Sequence, residues 1–335
     1  MKETFNWGII GLGNIASKFA IGLKSVPGAT LLAVASRSIE KANKFAMEHD
    51  AQHAYGSYEE ILKTPKIDVV YIATPHHLHA QNTMMCLNAG IAVLCEKPFA
   101  INYEEVMSMV ALAREKRTFL MEAFWTRFHP HIKKLVELTA SNKLGKLNSV
   151  TANFGFKATY DPESRLFNKY LGGGTLLDIG IYPVFLSLLL LGRPETIEAE
   201  ATFTDTEVDM TCSVKMTFQD SAVANIYSSF EEELENEAVI EGEKGYIRIP
   251  ARWHEPNFLY TKIGDKPEGP MSFFHRGNGY NYQAKELQFQ ISQRLIESPL
   301  MSHEFSLLLM DTLDRIRKII GLTYPNHDSQ QFLKQ

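Results

Sequence analysis

The first third of the chain alternates short apolar runs with longer segments that carry apolar residues at helical spacing. The apolar runs cover residues 5–10, 30–35, 68–73, 91–95 and 119–123. Runs of this length, rich in β-branched residues and bounded by glycine, proline or polar residues, are typical of strands buried on both faces. Strands that alternate with helices predict a parallel sheet covered by helices, which is an α/β domain.

The second part of the chain, from residue 147, changes to consecutive strands with few helices between them. Strands are predicted over residues 147–157, 196–203, 209–218, 222–230, 235–241 and 246–250, and helices over 131–141, 175–191, 282–297 and 303–320. Consecutive strands favour a largely antiparallel open sheet in an α+β domain. We therefore expect two domains, residues 1–123 and 124–335, and the C-terminal helix can pack back on the first.

Composition narrows the classes of protein that fit this pattern. A chain of 335 residues is too long for one ordinary core. A net charge of -5 and a pI near 6.1 give no broad positive field, so a nucleic acid partner is not expected. Three cysteines without close spacing indicate neither a disulfide framework nor a zinc site. The longest apolar run, residues 184–191, is too short to span a bilayer, so we expect a cytoplasmic protein without a membrane partner.

A glycine-rich turn follows the first predicted strand and opens a helix. Residues 11–16 read GLGNIA, the alanine-ended form of the dinucleotide-binding fingerprint. Gly11 permits the tight turn, Gly13 lets the backbone approach a pyrophosphate, and the helix N-terminus at Asn14 and Ile15 offers N–H groups to the phosphates. The first domain is therefore expected to be a Rossmann domain that binds NAD(P).

The end of the second strand bears on the choice between the two nicotinamide coenzymes. NAD sites usually place a carboxylate about 20 residues after the glycines, where it holds the ribose 2′-hydroxyl. The chain has Ser36 and Arg37 there instead, followed by Lys41. A hydroxyl and two cations suit a 2′-phosphate, so NADP is expected rather than NAD. The alternative is that both cations are ordinary exposed charges at a helix start.

Three histidines follow the strand over residues 68–73, directly after Thr74 and Pro75. Carboxyl ends of parallel strands line the ligand crevice, so Thr74, Pro75, His76 and His79 are expected to contact the cofactor. The histidines also suggest a metal, but no cysteine or carboxylate lies at a recognised ligand spacing. No metal site is expected.

Two further places carry ionisable groups where a site is expected. Glu96 and Lys97 follow the strand over residues 91–95, and such a lysine is either a solvated loop residue or a catalytic group. Asp178 and Tyr182 lie four residues apart on an apolar helix and share one face. Either Asp178 is a buried residue that caps its own helical turn and Tyr182 is a core tyrosine, or the two form a proton-transfer pair.

The motifs together resemble the glucose-fructose oxidoreductase, inositol dehydrogenase and rhizopine catabolism (Gfo/Idh/MocA) family over nearly the full length. The resemblance rests on residues 11–16 (GLGNIA), 74–75 (TP), 95–98 (CEKP) and 173–180 (GGTLLDIG). Residues 121–128 (MEAFWTRF) and 178–182 (DIGIY) are similar to the branch of dimeric dihydrodiol dehydrogenases and NADP-dependent D-xylose dehydrogenases. That branch implies a Rossmann domain followed by a substrate-binding domain that dimerises through its sheet.

The resemblance also implies roles for individual residues. It implies Lys97 and Tyr182 as the catalytic pair, and Glu96 close to the nicotinamide ribose. We expect Asp178 to take part in catalysis with this pair, by bonding the substrate or by orienting Lys97. Arg37 matches the 2′-phosphate arginine of the branch. Trp125, Arg127 and Phe154 are expected to line the substrate pocket. His254 stands where mammalian members have tryptophan, which makes aromatic dihydrodiols less suited to this chain.

The expected reaction transfers a hydride between NADP and a sugar, polyol or cyclic diol, with D-xylose and trans-dihydrodiols as the types implied. A tyrosine hydroxyl has a pKa of about 10. The Lys97 ammonium and the positive charge of the nicotinamide would favour its ionised form. One alternative is a non-catalytic NADP-binding redox sensor, against which the presence of Lys97, Asp178 and Tyr182 argues. Another is an enzyme that holds its cofactor tightly and shuttles hydride between two sugars.

Overall fold

A computed structural model describes residues 3–328, and they form two compact units. The first comprises the chain up to Phe128 together with His275–Leu307, and the second comprises His129–Phe274 and the residues from Leu308 onward. The predicted division was a single cut after residue 123. The structure differs because the helix Tyr280–Ser292 packs against the helix Asn14–Leu23 and returns to the first unit.

The first unit is built on a six-stranded, wholly parallel sheet. Its strands are β1 (Phe5–Ile10), β2 (Ala29–Ala35), β3 (His53–Tyr55), β4 (Val69–Ile72), β5 (Ala92–Glu96) and β6 (Leu120–Ala123). Its helices are α1 (Asn14–Leu23), α2 (Ile39–His49), α3 (His79–Asn88) and α4 (Tyr103–Lys116), with α7 (Tyr280–Ser292) from later in the chain. The strand order β3-β2-β1-β4-β5-β6 is that of a Rossmann sheet, so the predicted parallel α/β domain is confirmed.

The order of the strands fixes the place of the site in this unit. The chain leaves β1 toward β2 on one side, and β4 then pairs with β1 on the other side. The crevice at such a reversal, beyond the carboxyl ends of the strands, is where open α/β sheets bind ligands. The glycine turn after β1, the segment after β2 and the segments after β4 and β5 all lie at these ends.

The second unit is built on an eight-stranded sheet. Its strands are β7 (Leu147–Gly155), β8 (Thr196–Phe203), β9 (Asp209–Thr217), β10 (Val223–Ser229), β11 (Ala238–Gly242), β12 (Gly245–Ile249), β13 (Phe258–Ile263) and β14 (Gly269–Ser272). Only β7 and β10 pair in parallel, and every other neighbouring pair is antiparallel. The predicted largely antiparallel sheet is confirmed. The edge strand β14 and its neighbour β13 were not predicted.

The helices of this unit are α5 (Pro130–Ala140) and α6 (Ile181–Leu191), and α8 (His303–Ile320) begins in the first unit and ends in the second. A π-helical turn, Leu176–Gly180, leads directly into α6. Residues 169–191 thus form a continuous segment that is long and apolar enough to cross a membrane, with a mean hydropathy of 1.9. Of the most apolar 18-residue stretch in this segment, 83% is buried within the structure, as in the core helix of a globular unit.

Candidate active site

The glycine turn between β1 and α1 shows why each glycine is needed. Gly11 has a φ of +86°, and a Cβ there would lie 2.6 Å from the backbone N of Thr74. Gly13 has an ordinary φ of -91°, and its Cβ position has nothing within 4 Å. Gly11 therefore serves the close packing of the turn, while Gly13 keeps a space open beside the helix N-terminus.

The start of α1 fits the phosphates of a dinucleotide. Gly13 is the N-cap residue and supplies no side-chain cap, and the first turn contains no acidic residue. The N–H groups of Asn14 and Ile15, with the positive end of the helix dipole, are suited to anionic oxygens. The residues present in the turn therefore fit NAD(P), and Gly11, Gly13, Asn14 and Ile15 lie where the sequence placed them.

The segment after β2 presents the predicted cations at the surface. Ser36 is buried, whereas Arg37 and Lys41 are exposed. Ser38 begins α2, and its hydroxyl accepts from the N–H of Lys41 at 3.2 Å. Burial raises the pKa of Tyr58, and the nearby Arg37 guanidinium acts in the opposite direction. Tyr58 thus orients Arg37, a contact that sequence reasoning missed because Tyr58 lies 21 positions further along the chain.

The segment after β4 is tied to the segment after β5 by His79. His79 is fully buried, with Nδ1 2.7 Å from the carbonyl oxygen of Pro98 and Nε2 2.8 Å from that of Thr74. Both ring nitrogens therefore contact backbone oxygens, which leaves neither available to a metal. His79 holds the two segments together, and any influence on a cofactor acts through Thr74, Pro75 and the buried His76 beside it.

Lys97 is held at the carboxyl end of β5 by the residues on either side of it. The Lys97–Pro98 peptide bond is cis. The backbone N–H of Lys97 donates to Glu96 Oε2 at 3.3 Å, and the buried Tyr71 hydroxyl donates to Glu96 Oε1. Burial, followed by the charge of Glu96, raises the pKa of Tyr71 far above its ordinary value. These two bonds hold the Glu96 carboxylate, and the Lys97 side chain beside it is half-buried.

A second carboxyl group, Glu122 at the end of β6, lies beneath the same segment and was not predicted. Its Oε1 accepts from the Phe99 N–H at 3.1 Å, and its Oε2 accepts from the Ser306 hydroxyl at 2.7 Å. Only 1% of Glu122 is exposed, and this burial raises its pKa to about 8. The charge of Glu96 adds to that rise, while Lys97 opposes it.

Trp125 and Arg127, predicted to bind substrate, are both packed within the first unit. The Trp125 ring stacks on that of Tyr280, with centroids 4.3 Å apart and planes 2° apart. Arg127 Nε donates to the carbonyl oxygen of Leu300 at 2.8 Å, and burial lowers the pKa of the guanidinium. The structure thus gives Arg127 a bracing contact to the Leu300 segment.

In the second unit, Asp178 lies on the π-helical turn and is paired with Arg165. Arg165 Nη1 donates to Oδ1 at 2.9 Å and Nη2 to Oδ2 at 3.4 Å. The Asp178 side chain is 9% exposed and that of Arg165 is 56% exposed. A two-pronged pair of this kind favours the ionised carboxylate and fixes its plane. This pairing was not predicted, because Arg165 lies in an irregular segment 13 residues before Asp178.

Tyr182, at the start of α6, is surrounded by three rings. Its centroid lies 5.3 Å from that of Phe154, 5.4 Å from that of His254 and 6.5 Å from that of Trp253. The His254 ring stacks on Phe154, with centroids 4.4 Å apart. Only His254 among these three neighbours can both donate and accept hydrogen bonds through ring nitrogens.

The segment that carries His254 is anchored by the residue before it. Trp253 is fully buried, and its Nε1 donates to the carbonyl oxygen of Asn153 at 2.9 Å. The Trp253 N–H donates to the carbonyl oxygen of Asn236 at 3.0 Å, and the ring of His131 contacts the Trp253 carbonyl oxygen at 3.1 Å. The predicted residues Phe154, Asp178 and Tyr182 thus lie in one region of this unit, and His254 belongs with them.

Comparison with known families decides the class of protein. A model described as "Oxidoreductase family, NAD-binding Rossmann fold" matches residues 5–124, and one described as "GFO/IDH/MocA C-terminal domain" matches residues 132–248. The chain belongs to the Gfo/Idh/MocA family. It is therefore an NAD(P)-binding oxidoreductase, a dehydrogenase or reductase that acts on hydroxyl groups.

Individual relatives agree with this membership over almost the whole chain. The trans-1,2-dihydrobenzene-1,2-diol dehydrogenase of Danio rerio is 38% identical, over 97% of this chain and 99% of its own. That of Homo sapiens is 38% identical, over 95% of this chain and 98% of its own.

Solved structures share the fold. The aldose-aldose oxidoreductase of Caulobacter crescentus has a TM-score of 0.87 at 24% identity, covering 95% of this chain and 98% of its own. A levoglucosan dehydrogenase in complex with NADH and L-sorbose has a TM-score of 0.86 at 19% identity, covering 95% and 97%.

Proposed function

We propose that the protein is an NADP-dependent dehydrogenase that transfers a hydride between the nicotinamide and a hydroxyl-bearing carbon of a sugar, polyol or cyclic diol. The observation that carries this proposal is Tyr182, a buried tyrosine whose ring lies among three other rings, and which follows the Arg165-paired carboxylate of Asp178 by four residues. The relatives named as dihydrodiol dehydrogenases support the same class of substrate.

The chain's own residues would supply binding and proton transfer. A bound nicotinamide supplies the hydride acceptor. Tyr182 removes the hydroxyl proton, and Lys97 is the second residue of the catalytic pair that we propose. Asp178, held ionised by Arg165, accepts a hydrogen bond from a second substrate hydroxyl. A non-catalytic sensor would need none of these groups, and the dehydrogenases among the relatives argue against that alternative.

The preference for NADP rests on the exposed Arg37 and Lys41 after β2, where no carboxylate is available for a ribose 2′-hydroxyl. The preference for a polyhydroxylated substrate rests on His254, which brings hydrogen-bonding nitrogens to the rings around Tyr182.

We also propose a cytoplasmic homodimer formed through the sheet of the second unit. The free, buried state of Cys86, Cys95 and Cys212 supports a reducing compartment, and sedimentation equilibrium would measure the mass of the assembly.

A steady-state survey tests the proposal. NADP⁺ and NAD⁺ reduction would be measured with aldoses, polyols and cyclic trans-diols, using the wild type and Arg37→Ala. We expect turnover with NADP⁺, a higher kcat/KM for aldoses or polyols than for aromatic diols, and a loss of about 10-fold or more in kcat/KM for NADP⁺ alone in the variant. Equal use of both coenzymes by the wild type would contradict the coenzyme assignment, and no turnover on any substrate would contradict the function.

A further inference from the structure

Asp209 is a buried carboxyl group that the proposed chemistry does not use. It is the first residue of β9, it is fully buried, and its Oδ2 accepts from the backbone N–H of Leu176 at 2.6 Å. Leu176 is the first residue of the π-helical turn that carries Asp178 and leads to Tyr182. A carboxylate from one strand therefore contacts the beginning of the helix on which the proposed proton-transfer group lies.

This contact replaces a cap that the helix itself lacks. The residue before the π-helical turn, Thr175, makes no side-chain capping bond. The first N–H groups of a helix have no partner within the helix, and a carboxylate beside them also interacts favourably with the helix dipole. Asp209 supplies both the acceptor and the charge, although it lies more than 30 residues further along the chain.

The backbone that precedes the helix is shaped around this carboxyl group. Gly174 has a φ of +113°, and a Cβ there would lie 2.0 Å from Asp209 Oδ1. Only glycine allows so close an approach together with that conformation. On the neighbouring residue, the carbonyl oxygen of Gly173 accepts from the Tyr324 hydroxyl at 2.6 Å. The turn over residues 173–176 is thus held by Asp209 and by Tyr324.

A buried ionic cluster supports these two residues. Arg317 is fully buried, donates to Asp314 at 2.8 Å and to Asp328, and places its guanidinium 4.6 Å from the ring centroid of Tyr324. The backbone N–H of Tyr324 donates to Asp328 at 2.6 Å. Buried charges that are paired in this way restrain one another. It fixes Tyr324, and through Tyr324 the turn that begins the helix.

We propose that Asp209 is a positioning residue, whose carboxylate acts together with the Tyr324 hydroxyl to set the backbone from which Asp178 and Tyr182 project. It touches neither substrate nor cofactor, and acts through the π-helical turn. This inference rests on the proposed function for its consequence in catalysis, but its structural part is measurable without a substrate.

Opposing effects act on the pKa of the Asp209 carboxyl group. Burial raises its pKa to about 7, whereas the N–H groups of Leu176 and Thr175 and the charge of Arg317 oppose the rise. Tyr324 and Cys212 are the other titratable groups that interact with it, and both remain neutral at physiological pH, since burial raises the pKa of each well above its ordinary value. The carboxyl group therefore changes charge near neutral pH, and its bond to the Leu176 N–H weakens on protonation.

Hydrogen exchange followed by mass spectrometry tests the structural part. The variants are Asp209→Asn, Tyr324→Phe and the control Asp311→Asn, whose carboxylate pairs with Arg193 at 2.7 Å elsewhere in the same unit. We expect exchange in peptides over residues 174–185 to rise about 10-fold or more in Asp209→Asn, and less in Tyr324→Phe, with no change in the control. In the wild type, exchange corrected for its intrinsic rate should rise in the same peptides as the pH falls through about 7.

Two outcomes would overturn the inference. One is unchanged protection over residues 174–185 in both variants. The other is a uniform loss of protection throughout residues 129–274, which would show that Asp209 contributes only to the stability of the unit. If Asp209→Asn does not fold, Tyr324→Phe alone decides between local loosening and no change.

Kinetics test the consequence for catalysis. With any substrate that the wild type oxidises, Asp209→Asn should lower kcat about 10-fold or more, because small displacements of reacting groups are costly, while the Kd for NADPH stays within about twofold of the wild type. A kcat equal to that of the wild type alongside altered exchange would overturn the catalytic part alone. An inactive wild type would contradict the proposed function, and the exchange result would still stand.

Discussion

Glu122 shows how strongly this fold controls the charge of single residues. It lies beneath the Lys97 segment, accepts bonds from Phe99 and Ser306, and has a pKa raised by burial to about 8. Asp178 is buried to a similar degree but is paired with Arg165, which favours its ionised form. The surroundings of these two carboxyl groups therefore act in opposite directions: burial favours the neutral form of Glu122, and the Arg165 guanidinium favours the ionised form of Asp178.

The raised pKa of Glu122 predicts how stability depends on pH. Between about 4.5 and about 8 the folded protein keeps a proton that the unfolded chain releases, so this group makes the wild type less stable as the pH rises. Glu122→Gln has no such proton. Its amide oxygen can still accept from the Phe99 N–H, and its amide nitrogen can donate to the Ser306 hydroxyl oxygen in place of the bond that Oε2 accepted. We therefore expect the variant to gain stability over the wild type by up to about 1.4 kcal/mol per pH unit across this range.

Urea unfolding of both proteins at pH 5, 6, 7 and 8 measures this difference. Glu115→Gln is the matched control, because the Glu115 side chain is 69% exposed on α4. Parallel stability profiles for the wild type and Glu122→Gln would show that Glu122 is ionised in the folded protein, contrary to this account.

At the scale of elements, the two glycines in the turn from β1 to α1 are needed for different reasons. An alanine at position 11 would bring its Cβ to 2.6 Å from the backbone of Thr74 at a positive φ, whereas an alanine at position 13 would meet no protein atom. We expect Gly11→Ala to lose about 1–3 kcal/mol of stability. We expect Gly13→Ala to unfold like the wild type but to bind NADPH at least about 10-fold more weakly, because its methyl group occupies the space for the pyrophosphate.

Thermal unfolding and NADPH fluorescence titration of both glycine variants test this distinction. Normal NADPH affinity in Gly13→Ala would place the phosphates elsewhere and remove the basis for the site at this turn.

Sequence patterns predicted the elements that depend on local periodicity. Five of the six strands of the parallel sheet were located to within about two residues, because buried strands are continuous apolar runs. The short strand β3 was not predicted. The π-helical turn before α6 was not predicted, since its sequence reads as an ordinary apolar helix. The contacts of Arg165 and Asp209 were also missed, because each pairs with a residue brought close only by the tertiary fold.

At the scale of the whole molecule, the chain forms a Rossmann unit and a unit on a mixed, mostly antiparallel sheet, with residues 275–307 returning to the first. The predicted cofactor residues lie in the first unit, and Phe154, Asp178 and Tyr182 lie in the second. We therefore expect changes near Tyr182 to alter turnover without altering cofactor affinity, since α6 and the nucleotide turn belong to different units.

The most direct test of the account is therefore Tyr182→Phe, measured for kcat and for the Kd of NADPH, beside the control Tyr170→Phe, a tyrosine that is 65% exposed. The account predicts that kcat falls about 100-fold or more in Tyr182→Phe, with the Kd for NADPH within about twofold of the wild type and no change in the control. A Tyr182→Phe enzyme with nearly full kcat would contradict the assignment of Tyr182 as the proton-transfer group.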